Sequence, residues 1–75
     1  MTLKEARALV GLSQIDLDRA ANLPTGTTHA LESGRIESPS WARVVLIVRA
    51  LQAAGLKGIT GEQLFPVPDR TEAVS

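Results

Sequence analysis

Helix-capping residues and glycines divide this sequence into five short helical segments. Four segments begin after residues that favour helix N-caps, which are Thr2, Ser13, Ser40 and Thr60. The first, third and fourth of the five segments end at a glycine, a residue that readily takes the left-handed conformation closing a helix: Gly11, Gly34 and Gly55. The β-branched alternation that a strand requires is absent. The sequence therefore predicts an all-α, compact domain of five helices.

These boundaries predict where each helix lies. The second helix runs from its Ser13 cap to Asn22, a residue that tolerates a sharp left-handed turn. The third covers about residues 24–33, although Gly26 and the threonines after it are poor helix formers, so packing must stabilise it. The fourth is the longest, over about residues 41–54, and a short fifth helix follows.

Length and composition limit the kind of protein. The chain has 75 residues, so we expect one small domain at residues 1–66 and a frayed, proline-bearing tail at residues 67–75. With no cysteine and one histidine, it lacks a disulfide framework and the usual ligands of a zinc site, and we expect no cofactor. The longest apolar runs, such as residues 44–48, are too short to cross a bilayer, and no apolar leader is recognisable. We expect a cytoplasmic protein without a membrane partner.

Residues 14–31 hold two short helices joined by a tight turn, the geometry in which the second helix enters the major groove of DNA. The residues of this half that carry a family likeness are Leu12-Ser13-Gln14, Leu17, Ala21-Asn22-Leu23-Pro24, Thr28 and Leu31-Glu32-Ser33-Gly34. Those downstream are Pro39-Ser40-Trp41, Ile47, Arg49-Ala50-Leu51 and Leu64-Phe65-Pro66. Together, over about residues 3–66, they resemble the lambda-repressor/Cro-like (XRE-type) helix-turn-helix DNA-binding family.

The resemblance implies a transcriptional regulator, with repression as the expected role, that binds a double-stranded DNA operator as a homodimer. It places four residues of the fourth helix in the core: Trp41, Val44, Ile47 and Leu51. Leu46 occupies a position that is usually polar in the family, so it is a dimer-interface candidate, with an isolated surface leucine as the alternative. The sequence offers no catalytic constellation, no glycine-rich phosphate loop and no evident small-molecule site.

The resemblance assigns DNA contacts to seven residues: Gln14, Thr25, Gly26, His29, Ala30, Ser33 and Arg35. Thr25 and Ala30 can place a methyl group on thymine, and Gly26 lets the backbone approach closely. No arginine, lysine, asparagine or glutamine stands at the reading positions, so bidentate base recognition is missing. Gln14 and Arg35 are expected at phosphates, with an ordinary exposed residue as the alternative for Gln14.

Other positions on these helices have structural interpretations. Arg7 and Glu32 match a family ion pair that bridges the first helix to the end of the third, and such a pair is costly to break. Asp18 departs from the family's small alanine where the two motif helices cross, so it must turn outward, pair with a basic neighbour or open the crossing angle. Thr28 is expected in the core, and His29 is either a DNA contact or an ordinary exposed histidine.

The charge balance leaves an alternative open. Eight basic and eight acidic residues cancel, whereas DNA-binding modules usually carry a basic excess. Asp18 and Glu37 add acidic side chains near the expected DNA surface, and the third helix lacks strong base readers. The alternative is a protein-interaction module with the same fold and little DNA affinity, such as an antitoxin or a phage-encoded inhibitor.

Overall fold

The computed structural model describes residues 1–36 and 39–65 of the chain. Its helices are α1 (Leu3–Val10), α2 (Gln14–Ala20), α3 (Thr27–Glu32), α4 (Trp41–Ala53) and α5 (Gly61–Leu64). The described residues contain no strand, which confirms the predicted all-α architecture. None of these helices is long and apolar enough to cross a bilayer. The predictions for Glu37 and for a frayed tail at residues 67–75 fall outside the described ranges.

The first two helices begin where the sequence predicts. Thr2 Oγ1 accepts the Glu5 N–H at 3.1 Å, and the Glu5 carboxylate accepts the Thr2 N–H at 2.7 Å, which completes a capping box. Gly11, at φ 70°, then ends α1. Ser13 caps α2 in the same reciprocal way, with Asp16 as its partner. These bonds satisfy amide groups that have no partner within the helix at its start. Residues within one helical turn therefore determine where α1 and α2 begin.

α4 is the helix on which α1, α2 and α5 pack. The core consists of buried apolar side chains from these helices and their connections: Leu3, Ala6, Leu17, Ala21, Ile47, Ala50, Leu51, Ile59 and Leu64. Leu17, Ile47 and Leu51 are fully buried, and burial of such a side chain stabilises a fold by about 1.5–3 kcal/mol. Because α2 packs directly on α4, the core fixes the helix against which α3 lies.

The prediction that Trp41 belongs to the core is wrong, whereas the other three predicted core residues of α4 are buried. Trp41 is the first residue of α4, and 57% of it is exposed. Its indole lies against Gly61 at the start of α5, where an added Cβ would be 3.1 Å from Cη2. The ring covers the start of α5 from outside, because a tryptophan with a polar N–H is stable where one edge meets water.

α3 is shorter than predicted and begins at Thr27. Gly26 has φ 97°, a left-handed conformation that a right-handed helix does not accommodate. The Pro24 carbonyl accepts the Thr27 N–H at 3.1 Å and the Thr27 hydroxyl at 2.7 Å, so these residues form a turn before the helix. The connection between α2 and α3 therefore runs over residues 21–26, longer than the expected turn.

Candidate nucleic-acid interface

The connection after α2 directs α3 back against α2. Asn22, at φ 57°, takes the left-handed conformation predicted for this turn. The Leu23 N–H bonds to the Asp18 carbonyl at 2.8 Å, and Ala21 is buried in the core. α3 therefore packs on α2 instead of continuing its direction, which is the arrangement of a helix-turn-helix.

Asp18 does not turn outward, and among residues 1–36 and 39–65 it pairs with no basic residue, so neither of these two expectations holds. The residue is 1% exposed. Its Oδ2 accepts the Gly26 N–H at 2.8 Å, while Oδ1 accepts the Thr28 N–H at 2.8 Å and the Thr28 hydroxyl at 2.6 Å. The physical reason is that the start of α3 supplies the hydrogen bonds that a buried carboxylate requires. Asp18 is therefore absent from the protein surface.

The residues assigned to DNA contacts just before α3, on it and after it are those outside its packed side. We call them the outer face of α3: Thr25, Gly26, His29, Ala30, Ser33 and Arg35. All are exposed except Ala30, which is half-buried. Thr27 and Thr28 point the other way and are 6% and 0% exposed, the burial expected of Thr28. α3 thus has one side packed inside the protein and one side exposed to solvent.

The turn after α3 brings Arg35 beside the helix. The Ala30 carbonyl accepts the N–H of Arg35 at 2.9 Å and that of Ile36 at 3.2 Å, so the chain folds back along the last turn. A shallow depression lies between α3 and the segment that follows it, and its lining residues are Thr25, Gly26, Thr27, Ala30, Arg35 and Ile36. The structure therefore brings the candidate base contacts and the candidate phosphate contact Arg35 onto one surface.

A network of three side chains holds the end of α3. Arg7 Nε donates to Glu32 Oε2 at 2.6 Å, and Arg7 Nη2 donates to Glu32 Oε1 at 2.9 Å. Gln14 Nε2 donates to the same Oε1 at 3.0 Å. The Arg7 hydrogen bond lowers the pKa of Glu32 against the opposing effect of burial, and raises the pKa of Arg7. One carboxylate thus joins α1, the start of α2 and the end of α3.

Sequence reasoning missed the link between Gln14 and Glu32 and the role of Asp18. Gln14 is half-buried, and after the bond to Glu32 its side-chain amide keeps one N–H for another partner. The sequence did contain a signal that could have predicted the role of Asp18. Because a helix that begins at glycine has no side-chain cap of its own, an aspartate facing it from the preceding helix can supply that cap.

The charge of this surface is modest. Arg7 offsets the charge of Glu32, and the outer face of α3 adds the exposed guanidinium of Arg35. Within residues 1–36 and 39–65, no group of histidine, cysteine, aspartate and glutamate side chains could hold a metal ion. The chemistry offered is therefore hydrogen bonding, methyl contact and a limited positive charge.

Comparison with known proteins identifies the family to which these helices belong. The helix-turn-helix domain family matches residues 1–56, a range that contains α1 to α4 and the whole outer face of α3. Comparisons with curated proteins and with solved structures gave no significant match. The family match covers well over half of the chain. The chain therefore belongs to the helix-turn-helix domain family of the lambda-repressor (XRE) type.

Proposed function

We propose that this protein is a sequence-specific transcriptional regulator that binds double-stranded DNA as a homodimer, inserts α3 into the major groove and acts as a repressor. The observation that carries the proposal is that α3 has one side packed on the protein and one side exposed. Thr27 and Thr28 pack inward, whereas His29 on the helix and Thr25 just before it are exposed to solvent. Membership in the helix-turn-helix family supports DNA as that partner.

Small side chains would contact the bases. Thr25 and Ala30 offer methyl groups to thymine, and the Thr25 hydroxyl can also form a hydrogen bond. His29 supplies a longer polar side chain on the same side. Gly26 permits close approach of the backbone, but its N–H already bonds to Asp18 and is not available to a phosphate. Base preference would therefore depend on shape and methyl contacts.

Phosphate contacts would fix the protein on the duplex. Gln14, at the start of α2, keeps one side-chain N–H after its bond to Glu32. Arg35, after α3, is exposed and carries a full positive charge. Since each neutralised phosphate adds to the salt dependence of binding, the Arg35 side chain of each protomer should contribute to a loss of affinity as salt increases.

A second copy of the chain would bind through α4. Leu46 lies in the middle of α4 and is 36% exposed, whereas the valine, isoleucine and other leucine residues of α4 are at least partly buried. An exposed apolar side chain at this place can form a two-fold contact with its own symmetry mate. Such a dimer would present two copies of α3 to successive turns of the major groove.

Selection of bound sites from random double-stranded DNA, followed by fluorescence anisotropy in graded salt, tests this proposal. We expect one enriched sequence, bound at least about a thousandfold more tightly than scrambled DNA of the same length. Binding to both duplexes should weaken as salt increases. Absence of DNA binding at low salt, together with a stable complex with a different protein, would contradict the proposal and support the protein-interaction module.

A further inference from the structure

The carboxylate of Asp18 is a hydrogen-bond acceptor that α2 provides to the start of α3. Its Oδ2 reaches the Gly26 N–H, and its Oδ1 reaches both the N–H and the hydroxyl of Thr28, at 2.6–2.8 Å. Asp18 is 1% exposed and has no salt bridge within the part of the chain that the structure describes. Three donors from one short segment therefore converge on a single buried carboxylate.

The start of α3 differs in this respect from those of α1, α2 and α4. Thr2, Ser13 and Ser40 each accept the N–H of the residue three positions later in their own helix. The N-cap of α3 is Gly26, which has no side chain to offer. Asp18 supplies the missing cap from the neighbouring helix, and hydrogen bonds to a charged group are stronger than neutral ones. Removal of the carboxylate would thus release the start of α3 while its end stays attached to α1.

We propose that Asp18 is a positioning residue for DNA recognition, which fixes the angle and register of α3 on α2 and thereby sets which bases Thr25 and Ala30 face. This inference rests on the proposed function. Because α2 also carries Gln14, the link fixes the distance between a phosphate contact and the base contacts. Asp18 does not touch DNA, since it is buried. Its loss therefore reduces sequence discrimination without reducing the general attraction to phosphates.

Asp18→Asn is the sharpest variant because it preserves the shape of the side chain. Asparagine has a single carbonyl oxygen, so its NH₂ group faces an N–H donor of α3 whichever way the amide turns. Thr28→Val removes only the hydroxyl donor of the same cluster, and Thr28→Ser restores it. Asp16→Asn is the matched control, because Asp16 is an aspartate on α2 that caps α2 itself at an exposed position.

Two measurements separate positioning from general stability. The first is the ratio of affinities for the selected site and a scrambled duplex, and the second is amide hydrogen exchange. For Asp18→Asn we expect a roughly tenfold lower ratio, unchanged affinity for scrambled DNA, and roughly tenfold faster exchange at Gly26 and Thr28 relative to α4. Thr28→Val should lower the affinity ratio and accelerate exchange to a smaller extent. Thr28→Ser keeps the hydroxyl, so it should stay close to the wild type in both measurements. Asp16→Asn should leave the ratio unchanged.

The outcomes distinguish this inference from the proposed function. An unchanged ratio in folded Asp18→Asn, or exchange that accelerates equally in all helices, would overturn the positioning role and leave DNA binding intact. A wild-type protein without preference for any DNA sequence would overturn the proposed function, and the inference with it. If Asp18→Asn does not fold, the comparison of Thr28→Val with Thr28→Ser decides, because loss of one hydroxyl leaves the carboxylate in place.

Discussion

The guanidinium of Arg7 and the carboxylate of Glu32 join α1 to the last residue of α3, with Nε 2.6 Å from Oε2 and Nη2 2.9 Å from Oε1. At the other end of α3, Asp18 accepts three hydrogen bonds from Gly26 and Thr28. A helix of 6 residues is too short to be stable by itself in water. Two carboxylates, one at each end, therefore hold α3 in place.

Removal of Arg7 should destabilise the domain. In Arg7→Met, Glu32 keeps a carboxylate that is only 11% exposed and has lost its cation, so the free energy of unfolding should fall by about 3–5 kcal/mol. Urea denaturation followed by circular dichroism measures the change. Arg49→Ala, at an exposed position of α4, is the control and should change stability by less than about 0.5 kcal/mol. Similar stabilities of the two variants would contradict the structural role of the ion pair.

Stability should also depend on the ionisation of Glu32. The Arg7 hydrogen bond holds the pKa of Glu32 below its ordinary value of 4.5, with help from Gln14 and against the effect of burial. A pKa lowered by folding contributes stability that is fully present above pH 4.5 and is lost as the pH falls through the lower pKa of the folded state. The urea midpoint should therefore decrease below pH 4.5, and less so in Glu32→Gln.

Glu5 provides the comparison for this pH dependence. Its pKa is also lowered, first by the hydrogen bond from the Thr2 backbone, but the carboxylate is fully exposed. Water screens such a group, so Glu5→Gln should alter the acid dependence much less than Glu32→Gln. An acid dependence that is the same in wild type and Glu32→Gln would refute the assignment to Glu32.

Thr25 and Arg35 should affect DNA binding in different ways. Arg35→Ala removes the proposed phosphate contact, so it should weaken binding to all sequences and reduce the salt dependence. Thr25→Ala removes the proposed base contact, so it should relax or change the base preference at one position of the site by about 0.5–1.5 kcal/mol, the usual contribution of one hydrogen bond. Site selection with each variant measures both effects. Negligible effects from both changes would mean that a different surface binds DNA.

Leu46 should determine the oligomeric state. Leu46→Glu places a charge in the proposed α4 contact, so the variant should be a monomer in light scattering at concentrations where the wild type is a dimer. Leu9→Glu is the matched control, because Leu9 is 63% exposed on α1 and lies outside that contact. A dimer that persists in Leu46→Glu, or one that is lost in Leu9→Glu, would place the interface elsewhere.

A side chain at Gly26 should destabilise the fold because of the backbone conformation at this position. An added Cβ would meet no atom within 4 Å, but the residue has φ 97°, a region that other residues rarely adopt. Gly26→Ala should therefore lower the free energy of unfolding by about 1 kcal/mol or more. Gly58→Ala, at a glycine with equal space and no positive φ, should be close to neutral or slightly stabilising. Equal effects of both changes would argue against the left-handed conformation.

Features that depend on neighbouring residues were predictable from the sequence. The caps at Thr2 and Ser13 involve partners three residues away, and the left-handed Asn22 follows from its own conformational preference. The pairing of Arg7 with Glu32 joins residues 25 positions apart, and only the family resemblance pointed to it. The assignments of DNA contacts on α3 remain predictions.

Features that depend on tertiary packing were not predictable in the same way. The buried Asp18 carboxylate accepts hydrogen bonds from Gly26 and Thr28 on the next helix, and the left-handed conformation of Gly26 also shortens α3. The exposure of Trp41 depends on where α5 returns to α4, and the helical spacing of apolar residues in α4 contains no information about that return. The environment of Asp18 thus depends on the backbone conformation of Gly26, and that of Trp41 depends on a helix that is distant in sequence.

The most direct test is a titration of ¹⁵N-labelled protein with the selected DNA duplex, followed by NMR. If α3 enters the major groove, the largest chemical-shift changes should occur at backbone amides of the outer face of α3, with smaller changes at Gln14 and none at the buried α4 residues Ile47 and Leu51. Changes concentrated on α4 around Leu46, with the amides of α3 unaffected at saturation, would contradict DNA recognition by this helix.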